Sequence, residues 1–511
     1  MPRAVLLCLL SLLAALALLP APSVAAQPAS PPSGQLETPS PPGPDLDLLA
    51  ILHGEGEALS GDLAARRAVD TAPPVARAMA AVRQAGAASD RATYAFLPQV
   101  GLNLRYTRLS PVTNTTVVDA PAIDPSVIDG LVAGVDDPDA QALWRATLGT
   151  QLGFADFRFP IFLNQYAMRA SLSYPISDVL LSVWPAAQAA EATVMAARRR
   201  LEDARLQVAL EAREAFYEYA RARGAWAIAR LALLNAQARL EQVDAFVALG
   251  TAAEVDQLRL RAQVASAEVA VVRSRAAVEV AANTLRTLLH VDDDVQLAVE
   301  EDVLAPLPPL TAANADLVER AKAQRPDARA IVASVRAAER QARSAEGSRY
   351  PSLGVNANLD VANPNPRVFP QTDEFQGTWD ISAVLTWSMH DILDGNAQAE
   401  EAWAARDQRA EELRVLEDGI RIQVVEAATS YRAAREALEA ALLGVVAADE
   451  GYRVNAVRFE EGAITATDLI QSNVEQVQAQ LDVLNAGIDG RLARARLTRA
   501  VGRDVVAEGS R

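Results

Sequence analysis

Residues 98–107 read Pro-Gln-Val-Gly-Leu-Asn-Leu-Arg-Tyr-Thr, and residues 351–360 read Pro-Ser-Leu-Gly-Val-Asn-Ala-Asn-Leu-Asp. In the first, Val100, Leu102, Leu104 and Tyr106 alternate with Gly101, Asn103, Arg105 and Thr107. In the second, Leu353, Val355, Ala357 and Leu359 alternate with Gly354, Asn356, Asn358 and Asp360. A period of two marks a strand with one apolar and one polar face. Two more such segments run from Gln165 to Tyr174 and from Asp380 to Ser388, where Val384 interrupts the polar side. Each spans about 10 residues, the length a tilted strand needs to cross a bilayer. Singly, each reads equally well as a half-buried strand of a soluble sheet.

The chain is duplicated. Pro73–Thr107 overlies Pro326–Asp360 without a gap at an offset of 253, with Pro98 on Pro351 and Asn103 on Asn356. Leu172 and Asp178 then meet Leu385 and Asp391 at an offset of 213, and Gly250 and Asp292 meet Gly462 and Asp504 at 212. The first copy therefore carries about 40 extra residues between Ser110 and Pro160, which read as a long loop rich in Pro, Gly, Asp and Asn. Each copy reads helix, strand, loop, strand, long helix, sharp turn, helix.

The helical stretches are unusual. Pro185–Gly250 holds no internal proline or turn cluster, and Gly395–Gly462 has the same character. About 65 helical residues extend about 98 Å. After each turn glycine comes a heptad. Val255, Leu258, Ala262, Ala265, Val269, Val272 and Ala276 step by three and four; Ile470, Val474, Val477, Leu481, Leu484 and Ile488 repeat the pattern 212 residues on. That period predicts left-handed coiled-coil packing. The helices near Thr251–His290 and Asp327–Tyr350 together equal one long helix in length, so short helices stacked end to end are expected beside it. Aromatic residues collect at the strand ends. Tyr94, Phe96, Tyr174, Trp184, Tyr350 and Trp387 lie where strand meets helix, and Phe154, Phe157, Phe159 and Phe162 at the loop end. A lipid interface selects such girdles.

Charge and composition narrow the function. The 511 residues carry 48 Lys+Arg against 65 Asp+Glu, a formal net charge of −17. That balance argues against a nucleic-acid partner. Arg3, the apolar run Val5–Leu19 and the small residues Ser23, Ala25 and Ala26 read as a secretory signal peptide over 1–26. Cys8, the single cysteine, lies inside it, so no disulfide, lipid anchor or Cys-based metal site is expected. No later stretch of about 20 uninterrupted apolar residues predicts a spanning helix. His53, His290 and His390 are scattered, and Asp292-Asp293-Asp294 lacks the rest of a calcium loop. No nucleophile elbow, Walker or dinucleotide motif is present. No catalytic residue, metal or cofactor is expected.

The organisation expected is a signal peptide (1–26), a Pro-rich linker (27–58), a first structural repeat (59–292), a mid-tube connection (293–325), a second repeat (326–504) and a short tail (505–511). Four strands cannot close a barrel alone. Several copies sharing one barrel make a membrane duct; a periplasmic coiled-coil adaptor or scaffold without a barrel is the other reading.

The segments 59–69, Phe96-Leu97-Pro98-Gln99, Arg325-Pro326-Asp327, Phe459-Glu460-Glu461-Gly462-Ala463-Ile464-Thr465, Asp468-Leu469-Ile470 and Val501-Gly502-Arg503 resemble the TolC-like outer membrane efflux family. The resemblance covers nearly the whole chain after residue 58. It implies an α+β membrane fold in which a homotrimer builds a 12-stranded outer-membrane barrel continued by a helical tube in the periplasm. It also implies passive export, coupled through a periplasmic adaptor protein to an inner-membrane pump. The tips Leu249-Gly250-Thr251 and Glu461-Gly462-Ala463 are expected to dock the adaptor. Asp468 matches the first aspartate of the family's entrance ring; Gln471 stands where the second belongs. Asp256 matches an aspartate that locks the closed entrance. Its usual Tyr and Arg partners are replaced by Phe459 and Ile464, leaving Arg458 as a substitute. First-turn aspartates also suit a helix dipole without any pore role.

Overall fold

The computed structural model describes residues 56–111, 125–153, 161–250, 253–504 and 506. The expected signal peptide, most of the linker, Phe154, Phe157, Phe159 and the tip residue Thr251 lie outside the described residues. In chain order the elements are β1 (Glu57–Leu59), α1 (Gly61–Thr71), α2 (Pro73–Tyr94), β2 (Gln99–Arg108), α3 (Pro125–Val132), α4 (Pro138–Gly153) and β3 (Asn164–Pro175). After helical turns at Ile176–Asp178 and Val179–Val183 come α5 (Trp184–Ala248), α6 (Glu254–Leu289), β4 (Leu297–Val299), α7 (Asn314–Gln324) and α8 (Pro326–Glu346). The chain continues through β5 (Ser352–Asn363), β6 (Gln376–Thr386), α9 (Met389–Glu460) and α10 (Ala466–Val501).

The four alternating segments form one antiparallel sheet in the order β2-β3-β5-β6. Its register keeps the central rows pure. Val100, Leu172, Ala357 and Ile381 stand side by side, as do Leu102, Ala170, Leu359 and Trp379. Between them, Gly101, Ser171, Asn358 and Asp380 form one polar row, and Asn103, Arg169, Asp360 and Thr378 the next. A one-residue slip would mix the faces, so this alternation sets the register. Among the described residues nothing covers the apolar face: Val100 is 80% exposed and Trp379 73%. Aromatic rings mark both ends. Phe96 meets Trp184 edge-on at 6.2 Å where strand joins helix; at the far end Tyr166 lies 5.1 Å from Tyr106 and 6.0 Å from Phe375.

Beneath the sheet the helices stand in four columns. The first is α2 stacked on α6, the second α5, the third α8 stacked on α10, and the fourth α9; neighbouring columns pack side by side. Each column carries one strand, in the same order as the sheet. The end-to-end stacking expected from length is present, with α6 under α2 and α10 under α8. At the α10/α8 junction, Arg325-Pro326-Asp327 has a physical explanation. Arg325 is 4% exposed and donates to the terminal carbonyl of Ala500 (3.3 Å) and to Gln423 Oε1 (2.7 Å). Pro326 opens α8, where a missing N–H is harmless. Asp327 receives Arg325 (2.6 Å) at the positive end of that helix.

A belt crosses the columns at mid-height. β1 pairs in parallel with β4. Two buried tyrosines hold the belt, and they are equivalent at the offset of 212. Tyr219 Oη donates to Leu297 O and Tyr431 Oη to Pro308 O, each at 2.6 Å. α1 and α7 are equivalent at the offset of 253 and pack against the long helices.

Two expectations change. The extra residues of the first copy, read as a loop, contain α3 and α4. Asp137 caps the second of these, accepting from Asp139 N (3.0 Å), and Pro138 starts it; that Asp-Pro pair was a legible helix start. The helical run Ile176–Ala248 includes a stretch apolar enough to cross a membrane by length and composition alone, where none was expected. That run is 73 residues long and packs against α2, α6, α8 and α10, which makes it a wall of the helical layer.

Close packing against the belt depends on small residues. A methyl on Gly487 would sit 2.6 Å from the backbone carbonyl oxygen of Val303; one on Gly224 would meet only the end of the Leu484 side chain, at the same distance. Gly487→Ala should therefore cost about 1–3 kcal/mol through overpacking. Gly224→Ala should cost less, because leucine can rotate away and alanine favours helix. Thermal unfolding of the helical signal in detergent measures both, and the reverse order would refute this packing account.

Candidate functional site

Three features set what the chain can do: the tips, the edges and the polar face. At the first tip, α5 ends at Ala248 and Gly250 turns the chain with φ +73°; at the second, α9 ends at Glu460 and Gly462 has φ +71°. The left-handed turn needs glycine. Gly250 N donates to Val247 O (3.0 Å), Gly462 N to Phe459 O (3.0 Å) and Ala463 N to Arg458 O (2.8 Å). Leu249 presents an exposed apolar side chain, and Glu461 and Ala463 are exposed.

Asp468 is engaged at the start of α10. Its Oδ2 accepts from Thr465 N (3.0 Å) and Thr465 Oγ1 (2.8 Å), while Asp468 N donates back to Thr465 Oγ1 (3.3 Å). This is a reciprocal capping box. The Thr465 hydroxyl and backbone N–H hold the Asp468 carboxyl below the ordinary aspartate range, and the charge of Arg458 adds to the effect. Gln471 is exposed one turn on and donates to Glu475 Oε1 (2.9 Å).

Asp256 pairs within its own helix, accepting from Arg259 Nη1 (3.3 Å). Arg458 is exposed and Phe459 and Ile464 are half-buried, while the ion-pair partner of Asp256 is Arg259. A different residue ties the two hairpins together near the tips. Arg239 on α5 donates to Glu460 Oε1 on α9 (2.9 Å) and hydrogen-bonds the Tyr452 side chain. The sequence offered no signal for this contact, because the partners are 221 residues apart.

The edges are open. Among the described residues, β2 and β6 each pair on one side only. The helical layer ends the same way. On α6, the heptad residues Val255, Leu258, Val269 and Val272 are exposed, Val272 at 69%. On α9, Val415, Ile422 and Leu443, spaced by multiples of seven, are exposed as well. The equivalent heptad on α10 leaves Val474 47% exposed but is buried in its last two positions. Leu484 is 5% exposed against Gly224 of α5, and Ile488 is buried. Equal sequence patterns thus have unequal partners.

A family model for outer membrane efflux proteins matches residues 64–290 and 317–503. The chain belongs to the outer membrane efflux protein family. It is a channel protein of the outer membrane and not an enzyme, and the two matched parts follow the duplication. Solved structures share the fold. The CmeC outer membrane channel of Campylobacter jejuni superposes with a TM-score of 0.66 at 14% identity, covering 94% of this chain and 97% of that one. VceC of Vibrio cholerae gives 0.65 at 16% identity, covering 87% and 96%. The open-state MtrE channel of Neisseria gonorrhoeae gives 0.65 at 15%, covering 87% and 89%. No curated protein sequence matches the chain.

In this efflux protein the Asp468 cap has a pH signature. Its folded value is depressed, so its contribution to the start of α10 is present above the ordinary aspartate value. It is lost as pH falls through the folded value. Amide exchange at Leu469 and Ile470, normalised to intrinsic rates, should speed up as pH falls below the ordinary aspartate value of 3.8. Asp468→Asn should abolish that step; a step that persists in the variant would assign it to another group.

Proposed function

We propose that three copies of this chain assemble into one exit duct, a 12-stranded barrel continued by a helical tube, through which cargo leaves the periplasm passively. Channels of this family are trimers. The observation that carries the reading for this chain is the pair of matched open edges. The inner contacts β3–β5 and α10–α5 join the first repeat to the second. The same contacts made between copies join β6 to the next copy's β2, and α6 to the next copy's α9. Strand directions alternate across the sheet, so β6 meets a neighbouring β2 in the antiparallel sense the sheet already uses. A head-to-tail contact of this kind closes into a ring.

The apolar face of the sheet then meets lipid, and the polar face lines the lumen. The tips around Leu249, Gly250, Thr251, Glu461, Gly462 and Ala463 face a periplasmic adaptor, which links the duct to an inner-membrane pump. Asp468, with Gln471 one turn on and Asp256 on the neighbouring hairpin, narrows the entrance. Repelling anions and attracting cations is the expected effect of such a carboxylate ring. Arg458, Phe459 and Ile464 are the nearby gate contacts, and the Arg239–Glu460 pair is the polar tie that holds the hairpins together. The exposed apolar face of the sheet disfavours an adaptor or scaffold without a barrel, which needs no such surface.

Two measurements test this. At the offset of 212 that carries Gly250 onto Gly462, Leu484 and Gly224 correspond to Val272 and Glu436. Glu436 lies on the Val415–Ile422–Leu443 stripe. Oxidising Val272→Cys/Glu436→Cys should produce a disulfide-linked trimer on a non-reducing gel, and neither single variant should do so. Monomer alone in the double variant would reject the closure. Second, Asp468→Ala should weaken block by multivalent cations added from the tip side in planar-bilayer recordings. Unchanged block would remove Asp468 from the constriction.

A further inference from the structure

The polar face of the sheet holds a charge cluster in two adjacent rows. Arg169 on β3 pairs with Asp360 on β5, Nε to Oδ1 at 2.5 Å. Asp380 on β6 accepts from Asn358 Nδ2 at 3.0 Å. The fourth charge does not come from the sheet. Arg367 lies in the connection between β5 and β6, and its Nη2 stands 2.6 Å from Asp380 Oδ1 and 3.8 Å from Asp360 Oδ2.

That connection is held in place. Asn365, 2% exposed, donates through Nδ2 to Gln376 O (2.8 Å) and Thr378 Oγ1 (3.2 Å). Its Oδ1 accepts from Arg367 N (2.9 Å), and its carbonyl from Val368 N (3.2 Å). A side chain that binds its own backbone two residues on is an Asx-turn. The buried amide thus fixes the turn and directs Arg367 back over the polar face. Asp360 and Asp380 are diagonal neighbours on adjoining strands, where like charges repel unless a cation lies between them.

We propose that Arg367 is a specificity-determining residue of the exit. Carried over the barrel's inner face by the Asn365-anchored turn, it balances Asp360 and Asp380 and keeps this level of the lumen without net charge. The inference rests on the trimeric duct reading. Each chain brings two arginines, Arg169 and Arg367, and two aspartates, Asp360 and Asp380, to these rows. Three copies therefore make a ring of alternating sign. Without Arg367 each copy has an excess carboxylate, and the ring becomes a cation filter. In a narrow water-filled barrel with low-dielectric walls, such fixed charges act strongly on passing ions. A balanced ring admits cationic, anionic and zwitterionic cargo alike. Arg105, one polar row nearer the loop end, adds a positive charge that the test leaves untouched.

The experiment compares reversal potentials of the purified full chain in planar bilayers under a KCl gradient. Arg367→Gln should raise the cation-to-anion permeability ratio roughly twofold or more, and Asp380→Asn should lower it by a similar factor. Arg367→Gln/Asp380→Asn together should return it toward the parent value, and Arg367→Lys should stay near the parent. A purely structural role predicts no opposite shifts and no restoration. Asp360→Asn reads the same balance from the acid side should Arg367→Gln fail to assemble. Unshifted ratios in variants with parental trimer bands and conductance overturn the role of Arg367 and leave the duct standing. A parent chain that forms neither trimers nor conducting channels overturns the duct reading and this inference with it.

Discussion

A backbone N–H or C=O that points into hydrocarbon has no water to bond. Each such group costs several kcal/mol if left unpaired. The four-stranded sheet of this chain has an apolar outer face, yet among the described residues the outer edges of β2 and β6 have no partners. Those facts conflict inside a membrane unless another strand covers each edge. Four strands are too few to curl onto themselves, because about eight is the small limit of a barrel. The need to satisfy two edges in lipid therefore drives the assembly, and the helical layer follows from it.

The helices obey the same rule with different chemistry. Each column stands under one strand, so a ring of strands imposes a ring of columns. Water can reach helix flanks, and the driving force there is apolar burial, about 25 cal/mol per Å². The end of the α10 heptad finds its partner inside the chain at Gly224, whereas among the described residues the α6 heptad stays exposed. Duplication explains the difference. A repeat with a complementary front and back satisfies one front–back contact within the chain and leaves one pair outward. The stacking junction at Arg325-Pro326-Asp327 serves continuity along the column. It ends one helix and starts the next at a point where helix-terminal backbone groups would otherwise be buried without partners.

Polar chemistry is concentrated at the tips, the belt and the polar face of the sheet. At the tips, Asp468 and Thr465 satisfy the first turn of α10, so the same carboxylate that is proposed to narrow the entrance also stabilises the hairpin. At mid-height, two equivalent tyrosines fasten the belt to the long helices. On the polar face, arginines and aspartates from three strands and one turn pair across the sheet. The polar groups at the tips and on the sheet face lie outside the buried core, which leaves them open to adjustment for cargo.

Much of this was legible in the amino-acid order. The period of two in Val100–Thr107 and its repeats gave strand identity and face, because side-chain direction along a strand is a local property. The proline-free runs and turn glycines gave the long helices, and the duplication gave the order of elements. The capping role of Asp468 was also readable, since a Thr three residues before an Asp is a local signal. Other features required the fold. Arg239 reaching Glu460, Arg367 returning to Asp380 and Arg325 crossing to Gln423 join residues far apart in sequence or turned by a loop, and no local pattern encodes such distances. The two heptads make the same point: they are alike as sequence, and only the packing of columns decided that one is core and the other an open edge. Local periodicity sets which face of an element is apolar; what covers that face depends on which elements the rest of the chain brings alongside.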